Sequence, residues 1–264
     1  MTFVSLPAPD LAGQIDFCWS SCVPMPAAEG LFREFLPDSG VHLVIRLSPS
    51  GGRMALLGPA TEKASFELVP GATYLGVRFR TAQAPRLADL PAAELTDGHA
   101  EVLRIGRRPA DAVMDELQSL PDLAARQRLL EPLLRWPAPP LVTNARCRNA
   151  ARAVEARGGQ LRVHDLAREA GLHVRSLERL LRAELGISPK RLIRLVRLRQ
   201  VLGALHHGGY GTLADLAHAC GYADQPHMVK DFRHLTGFAP SQERARRGAP
   251  LVAALTRIVH RHRT

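Results

Sequence analysis

Lysine is almost absent from this chain. Only Lys63, Lys190 and Lys230 occur, against 32 arginines, so nearly all the positive charge is carried by guanidinium groups. Cysteine is scarce as well. Cys18, Cys22, Cys147 and Cys220 are too few for a disulfide framework, which fits a reducing compartment. No window approaches the roughly 18 uninterrupted apolar residues that a membrane span needs. The opening stretch, MTFVSLPAPDLAGQIDF, lacks the basic start and apolar run of a secretory signal. The expectation is a cytoplasmic protein with no membrane partner. A nucleophile elbow, a phosphate loop, an HExxH motif and a carboxylate constellation are all missing. The chain is therefore expected to be no enzyme and to need no cofactor or metal.

What the sequence does have is an uneven charge. The 264 residues carry a net +10. Residues 1–140 hold 13 basic and 16 acidic residues, and residues 141–264 hold 22 and 9. A mildly acidic half joined to a strongly basic one predicts a polyanionic partner for the second half alone. Codon bias accounts for arginine over lysine, but not for this asymmetry.

The clearest break is WPAPP, residues 136–140, where three prolines stop a helix and stiffen a connection. Before it, VHLVIRL (41–47) alternates Val41, Leu43, Ile45 and Leu47 with His42, Val44 and Arg46. TYLGVRFR (73–80) alternates in the same way. Period two with a polar second face predicts half-buried antiparallel strands, with MALLG and ASFELVPG as further strands between them. Residues 109–119 and 122–135 have helical spacing. After the break, helices are expected over 141–156, 163–170, 174–185, 190–206, 212–219, 225–235 and 241–247. A further short amphipathic segment, LVAALTRIVH, follows.

Two stretches of the basic half repeat. DLAREAGLHVRSLERLLRAELGISP starts at Asp165 and DLAHACGYADQPHMVKDFRHLTGFAP at Asp215. Asp165, Leu166, Ala167 and Gly171 recur 50 residues later. Leu177, Arg179, Leu181, Gly186 and Pro189 then find their counterparts at an offset of 51, so one residue is added in the turn. Each copy reads as a short helix, a glycine-centred turn and a second helix, the helix-turn-helix pattern. In the second copy Asp224 is a good N-cap, Pro226 suits the first turn, and Met228, Phe232 and Leu235 form the buried stripe. In the first copy Leu177, Leu180 and Leu181 form it. Arg175, Ser176, Glu178, Arg179 and Arg182 point outward, as do Gln225, His227, Lys230 and Arg233. Such a second helix enters a DNA major groove by its N-terminal part, where Arg can grip guanine and Glu can accept from cytosine. A joining helix from Lys190 to His206, roughly 25 Å long at 1.5 Å per residue, allows two successive grooves to be read. One isolated helix-glycine-helix is often mere packing. Two copies in a basic half are a much stronger sign of DNA binding.

On these residues, 141–247 resemble the DNA-binding domain of the AraC/XylS family of bacterial transcription regulators. The closing turns Gly186-Ile187-Ser188-Pro189 and Gly237-Phe238-Ala239-Pro240 belong to the likeness. The resemblance implies base contacts from Arg175, Glu178, Arg179, Gln225, His227 and Lys230, with double-stranded promoter DNA and RNA polymerase as partners. Two departures stand out. His173 occupies the family's usual serine cap, which implies a weaker cap, and SQERAR lacks the usual aromatic before its arginine. FLPDSGVHLVI, LLGP, YLGVRFR and PAAELTD resemble, more loosely, the sensing domain of some such regulators. That implies a β-rich domain for a small-molecule effector, for homodimer contacts, or for both. The expected architecture is an α+β N-terminal domain joined to an all-α C-terminal domain with two helix-turn-helix units. Its divisions are 1–136 (sensing or dimerisation, ending in helices), 137–140 (linker), 141–247 (DNA binding) and 248–264 (basic tail).

Two features of the first half remain. If the polar strand faces line a pocket, His42, Arg46, Tyr74 and Arg78 converge there and suit an anionic or hydroxylated ligand. Otherwise they face water. Cys18-Trp-Ser-Ser-Cys22 has C-x3-C spacing. Zinc ligation, a redox pair, a methyl-acceptor centre for DNA repair and buried structural thiols are the readings of it. A structural zinc needs four ligands, and His42 alone is at hand. His206-His207 at a helix end is expected to interact with the last carbonyls.

Overall fold

The computed structural model describes residues 2–25, 31–135, 138–244 and 256–260. The first half is built on antiparallel strands: β1 (Thr2–Ser5), β2 (Ile15–Cys22), β3 (Leu31–Phe35), β4 (Val41–Leu47), β5 (Arg53–Leu57), β6 (Ala64–Glu67), β7 (Thr73–Phe79) and β8 (His99–Glu101). Six of them form one sheet in the order β1-β2-β7-β4-β5-β8. A short ribbon, β9 (Arg104–Ile105) with β10 (Arg108–Pro109), leads into helices α1 (Ala110–Ser119) and α2 (Leu123–Leu134).

The alternation in β4 and β7 decides what lies on each side of the large sheet. Leu43 pairs with Val77 and Ile45 with Leu75, and all four are buried on the face that the two helices cover. His42 pairs with Arg78, Val44 with Gly76 and Arg46 with Tyr74 on the other face. Half-buried strands with a solvated second face were expected there. Instead β3 and β6 pair as a second small sheet, Phe35 and Phe66 line one cavity with Val44 and Arg46, and His42, Tyr74 and Arg78 are buried. The two faces differ in polarity, but both are covered. Tight packing shows at Gly76, where a Cβ would sit 2.0 Å from Cε2 of Trp19, so only glycine lets that indole lie across β7.

The second half is helical up to residue 244: α3 (Ala145–Ala156), α4 (Val163–Glu169), α5 (Val174–Leu185), α6 (Pro189–His207), α7 (Leu213–Ala219), α8 (Gln225–Thr236) and α9 (Pro240–Arg244). α3 begins at 145 rather than 141, because Asn144 caps it by accepting from the amides of Arg146 and Cys147. Residues 245–247 of the expected last helix lie outside the described residues, as do 251–255 of LVAALTRIVH. The rest of that segment is not helical. Thr256–His260 form β11, which pairs antiparallel with β3, so the small sheet runs β11-β3-β6. A ladder to an open strand edge overrides a weak helical periodicity.

Candidate functional site

The two repeated units fold alike. α4 and α5 meet through Gly171 (φ +63°), and α7 and α8 through Gly221 (φ +75°), both in the left-handed region that lets one helix end and the next leave steeply. Met228, Phe232 and Leu235 are buried in α8. In α5 the buried stripe is Leu177, Leu181 and Leu185. Leu180, expected in it, is only half-buried, because i, i+4 and i+8 share the centre of the buried face and i+3 lies at its edge.

The outward residues are where an approaching duplex could meet them. Arg175, Glu178, Arg179, Arg182, Gln225, His227, Lys230 and Arg233 are exposed, and Ser176 is half-buried. Asp224 caps α8 by accepting from the amide of His227 at 2.8 Å. His173 does cap α5, its Nδ1 accepting from Arg175 at 3.3 Å, a longer contact. α8 is also anchored by a polar clasp. Asp231 accepts from Nε of Arg194 on α6 at 2.6 Å and from the Tyr222 hydroxyl at 3.2 Å. Burial and that neighbouring carboxylate both push the Tyr222 phenol up, so it remains a donor. Of the paired histidines, His207 bonds the carbonyl of Gly203 as expected. His206 instead meets Glu243 of α9 at 2.9 Å, because it points into the core.

The four residues expected around an effector divide between different sites. Arg46 and Tyr74 line a cavity of about 170 Å³ between the two sheets, with Trp19, Arg33, Phe35 and Arg53. His42 lines a neighbouring cavity of about 300 Å³ with Asp38, Lys63 and His99. Arg78 lines neither. It is fully buried, gripping Asp38 through Nε at 2.7 Å and Nη2 at 2.6 Å, and Asp16 through Nη1 at 3.2 Å. Burial alone would raise the Asp38 carboxyl, but Arg78 and His42 hold it well below the usual carboxylate range.

That cluster reaches the helical half. Asp16 also accepts from Nη2 of Arg199 on α6 at 2.5 Å. Glu155 of α3 accepts from the Thr81 hydroxyl at 2.6 Å and its amide at 3.0 Å. Thr96 donates to the Leu185 carbonyl at 2.7 Å, and Arg191 donates to the carbonyl of Thr61. The proline-rich joint is pinned as well: Arg86 donates to Pro139 and Leu141 to Ala84. Sequence reasoning missed Asp16, Arg33, Asp38, Glu155 and Arg199. A charged residue inside an apolar strand such as LFREF was the available signal for Arg33.

Cys18 and Cys22 lie in one extended strand, where four residues span about 13 Å, far beyond the ~7 Å limit between Cα atoms for a disulfide. Burial pushes the Cys18 thiol up to about 12, Glu131 adding to it, which makes it a poor nucleophile. The redox pair does not fit this geometry, and Cys18 does not suit a methyl-acceptor centre. Among the described residues, no cluster of three or more His, Cys, Asp or Glu could hold a metal, and no helix is long and apolar enough to cross a membrane.

Tandem glycine-turn units on a shared α6 define the second half as a double helix-turn-helix. Comparison with known proteins agrees. Residues 166–246 match the family described as a helix-turn-helix domain, and residues 4–101 match a domain of unknown function (DUF6597). No curated protein matches the chain. Among solved structures, a transcriptional regulator from Chromobacterium violaceum with an AraC-type DNA-binding domain is 28% identical over 40% of this chain and 94% of its own, with a TM-score of 0.37. The C-terminal domain of AraT, a response regulator from Geobacillus stearothermophilus, is 23% identical over 40% and 89%, with a TM-score of 0.38. ToxT from Vibrio cholerae is 11% identical over 94% and 98%, with a TM-score of 0.43. The helical half thus carries a helix-turn-helix domain, a fold that presents one helix of each unit to a DNA major groove.

Proposed function

We propose that the protein reads two successive major grooves of promoter DNA, one with α5 and one with α8, and that a small molecule held by the β-rich half modulates this reading. The carrying observation is the exposure of Arg175, Glu178, Arg179, Gln225, His227 and Lys230 at the N-terminal ends of two helices held on one α6. At 1.5 Å per residue the 19 residues of α6 span roughly 28 Å. With the width of the flanking units, that suits a groove repeat of about 34 Å. Ser176, Arg182 and Arg233 are assigned to supporting contacts. The protein acts by binding, not catalysis, as a cytoplasmic regulator that meets RNA polymerase at the promoter and works as a homodimer where half-sites are paired. The division at residues 136–140 separates its sensing and reading parts.

Modulation rests on the contacts between the halves. Asp16, within β2, and Thr81, just after β7, hold α6 and α3 through Arg199 and Glu155. A ligand that shifts those strands changes the grip on the reading domain. Selection of sites from random DNA by the full-length protein tests the reading. Two short blocks one helical turn apart are expected, with Arg179→Ala blurring one block and Lys230→Ala the other. Enrichment of no sequence, with binding that merely falls as salt rises, would refute it.

A further inference from the structure

The cavity between the two sheets contains a charge without an acidic counterpart among the described residues. Arg33 of β3 is only 2% exposed. Its Nη2 donates to the Ser21 hydroxyl at 2.6 Å, and its guanidinium carbon lies 5.1 Å from the centre of the Trp19 ring. Among the described residues, its Nε and Nη1 have no hydrogen-bond partner. Buried donors are normally satisfied, and a buried cation normally faces an acid. Desolvation lowers this guanidinium only to about 10, so it stays charged at neutral pH.

The rest of the lining deepens the imbalance. Arg46 and Arg53 sit directly opposite each other on β4 and β5, where like charges repel, and both face the same space. Nε of Arg46 is likewise buried with no partner among the described residues. The acid in this lining, Glu67, is exposed at the outer edge, so three arginines share the cavity with one rim carboxylate. The remaining walls are mainly apolar: Trp19, Phe35, Val44, Phe66 and Leu68.

We infer that this cavity binds a small organic anion, a carboxylate on an apolar body, with Arg33 as its anchor. The inference rests on the effector reading above and specifies its chemistry. A carboxylate oxygen can accept from Nε or from Nη1 of Arg33, a charge-assisted bond to a buried donor that otherwise has no partner among the described residues. The apolar body fills the space between Trp19, Phe35 and Val44. At about 170 Å³ the cavity is close to the ~150 Å³ that accommodates a benzene ring, so one ring or a six-carbon chain fits. Arg46 and Arg53 add attraction at the mouth.

Calorimetry and thermal unfolding of the full-length protein with sodium benzoate, sodium hexanoate, benzamide, hexan-1-ol and sodium phosphate test this. Both organic acids are expected to bind and raise the unfolding temperature, with the amide and the alcohol at least about tenfold weaker and phosphate without effect. Arg33→Met should weaken the acids on the order of 10- to 100-fold. It should not lower the unfolding temperature of the free protein, because it removes a buried charge that lacks an acid. Ala55→Leu, which narrows the cavity without touching an arginine, should also abolish binding. Equal binding of acids and neutral isosteres would overturn the anionic assignment while leaving an effector cavity in place. Undiminished acid binding by Arg33→Met would overturn the anchor. Binding of none of the five probes would overturn the inference. Site selection on DNA, run beside these assays, shows separately whether the reading of the helical half stands.

Discussion

The two helix-turn-helix units share a fold and differ in how they hold it. The first is fastened by apolar contact: Leu180 lies half-buried at the position where the second unit carries Asp231. The second is fastened by a polar clasp of Asp231, Arg194 and Tyr222. Capping differs in the same sense. α7 starts on a reciprocal box, the Thr212 hydroxyl accepting from the Asp215 amide and the Asp215 carboxylate accepting from the Thr212 amide, whereas α4 has no side-chain cap. α5 is capped by a histidine ring and α8 by a carboxylate. The outward faces differ too: Arg175, Arg179 and Arg182 with Glu178 on α5, but Gln225, His227, Lys230 and Arg233 on α8. Copies of one unit can thus keep a backbone while their stabilising chemistry and reading surfaces diverge.

The largest effect that would separate the units is on stability. Asp231→Ala strands the buried Tyr222 hydroxyl and frees Arg194, and should cost about 2–4 kcal/mol. Leu180→Ala should cost about 1 kcal/mol. Denaturant unfolding of both variants checks the ranking, and equal losses would erase the distinction. Next come the reading surfaces. Arg179→Ala should lose about 1–3 kcal/mol of discrimination at a guanine position. Lys230→Ala should likewise lose discrimination in the block that α8 reads, whereas an even loss of affinity across sequences with a salt slope smaller by about one would place Lys230 on phosphate. Titrations at several salt concentrations would reveal which of the two each residue does. The smallest effect concerns the caps. Asp224→Ala should cost about 1 kcal/mol and His173→Ala less, while His173→Ser should gain a few tenths. Hydrogen exchange of the first-turn amides of α5 and α8 would register each change locally.

Much of this was legible in the sequence, and the rest was hidden for physical reasons. β4 occupies the stretch read as VHLVIRL, and β7 all but the last residue of TYLGVRFR, because period-two alternation is a local signal. The glycine turns, the Asp224 cap and the Met228–Phe232 stripe are local too. The covering of the polar strand face was not legible, since it depends on β3, whose five residues LFREF look too charged for an interior strand. Arg33 therefore escaped notice, and Arg78 was grouped with a cavity it does not line. Its partners Asp38 and Asp16 are 40 and 62 residues away, and only the sheet register brings them together. β11 illustrates the same limit: its state is set by the edge it joins, not by its own periodicity.

That last strand limits the movement open to the molecule. The helical half is fastened to the β-rich half by backbone pairing at two places, through residues 139–141 against 84–86 and through β11 against β3, and by the side-chain bonds of Arg199, Glu155, Thr96 and Arg191. A body on one tether can swing about any axis, whereas a body held at several points moves only when some of those bonds are exchanged. One of those points is β3 itself, with Arg33 opposite Ile258 in its ladder, so whatever settles against that arginine sits on a strand that is also a fastening.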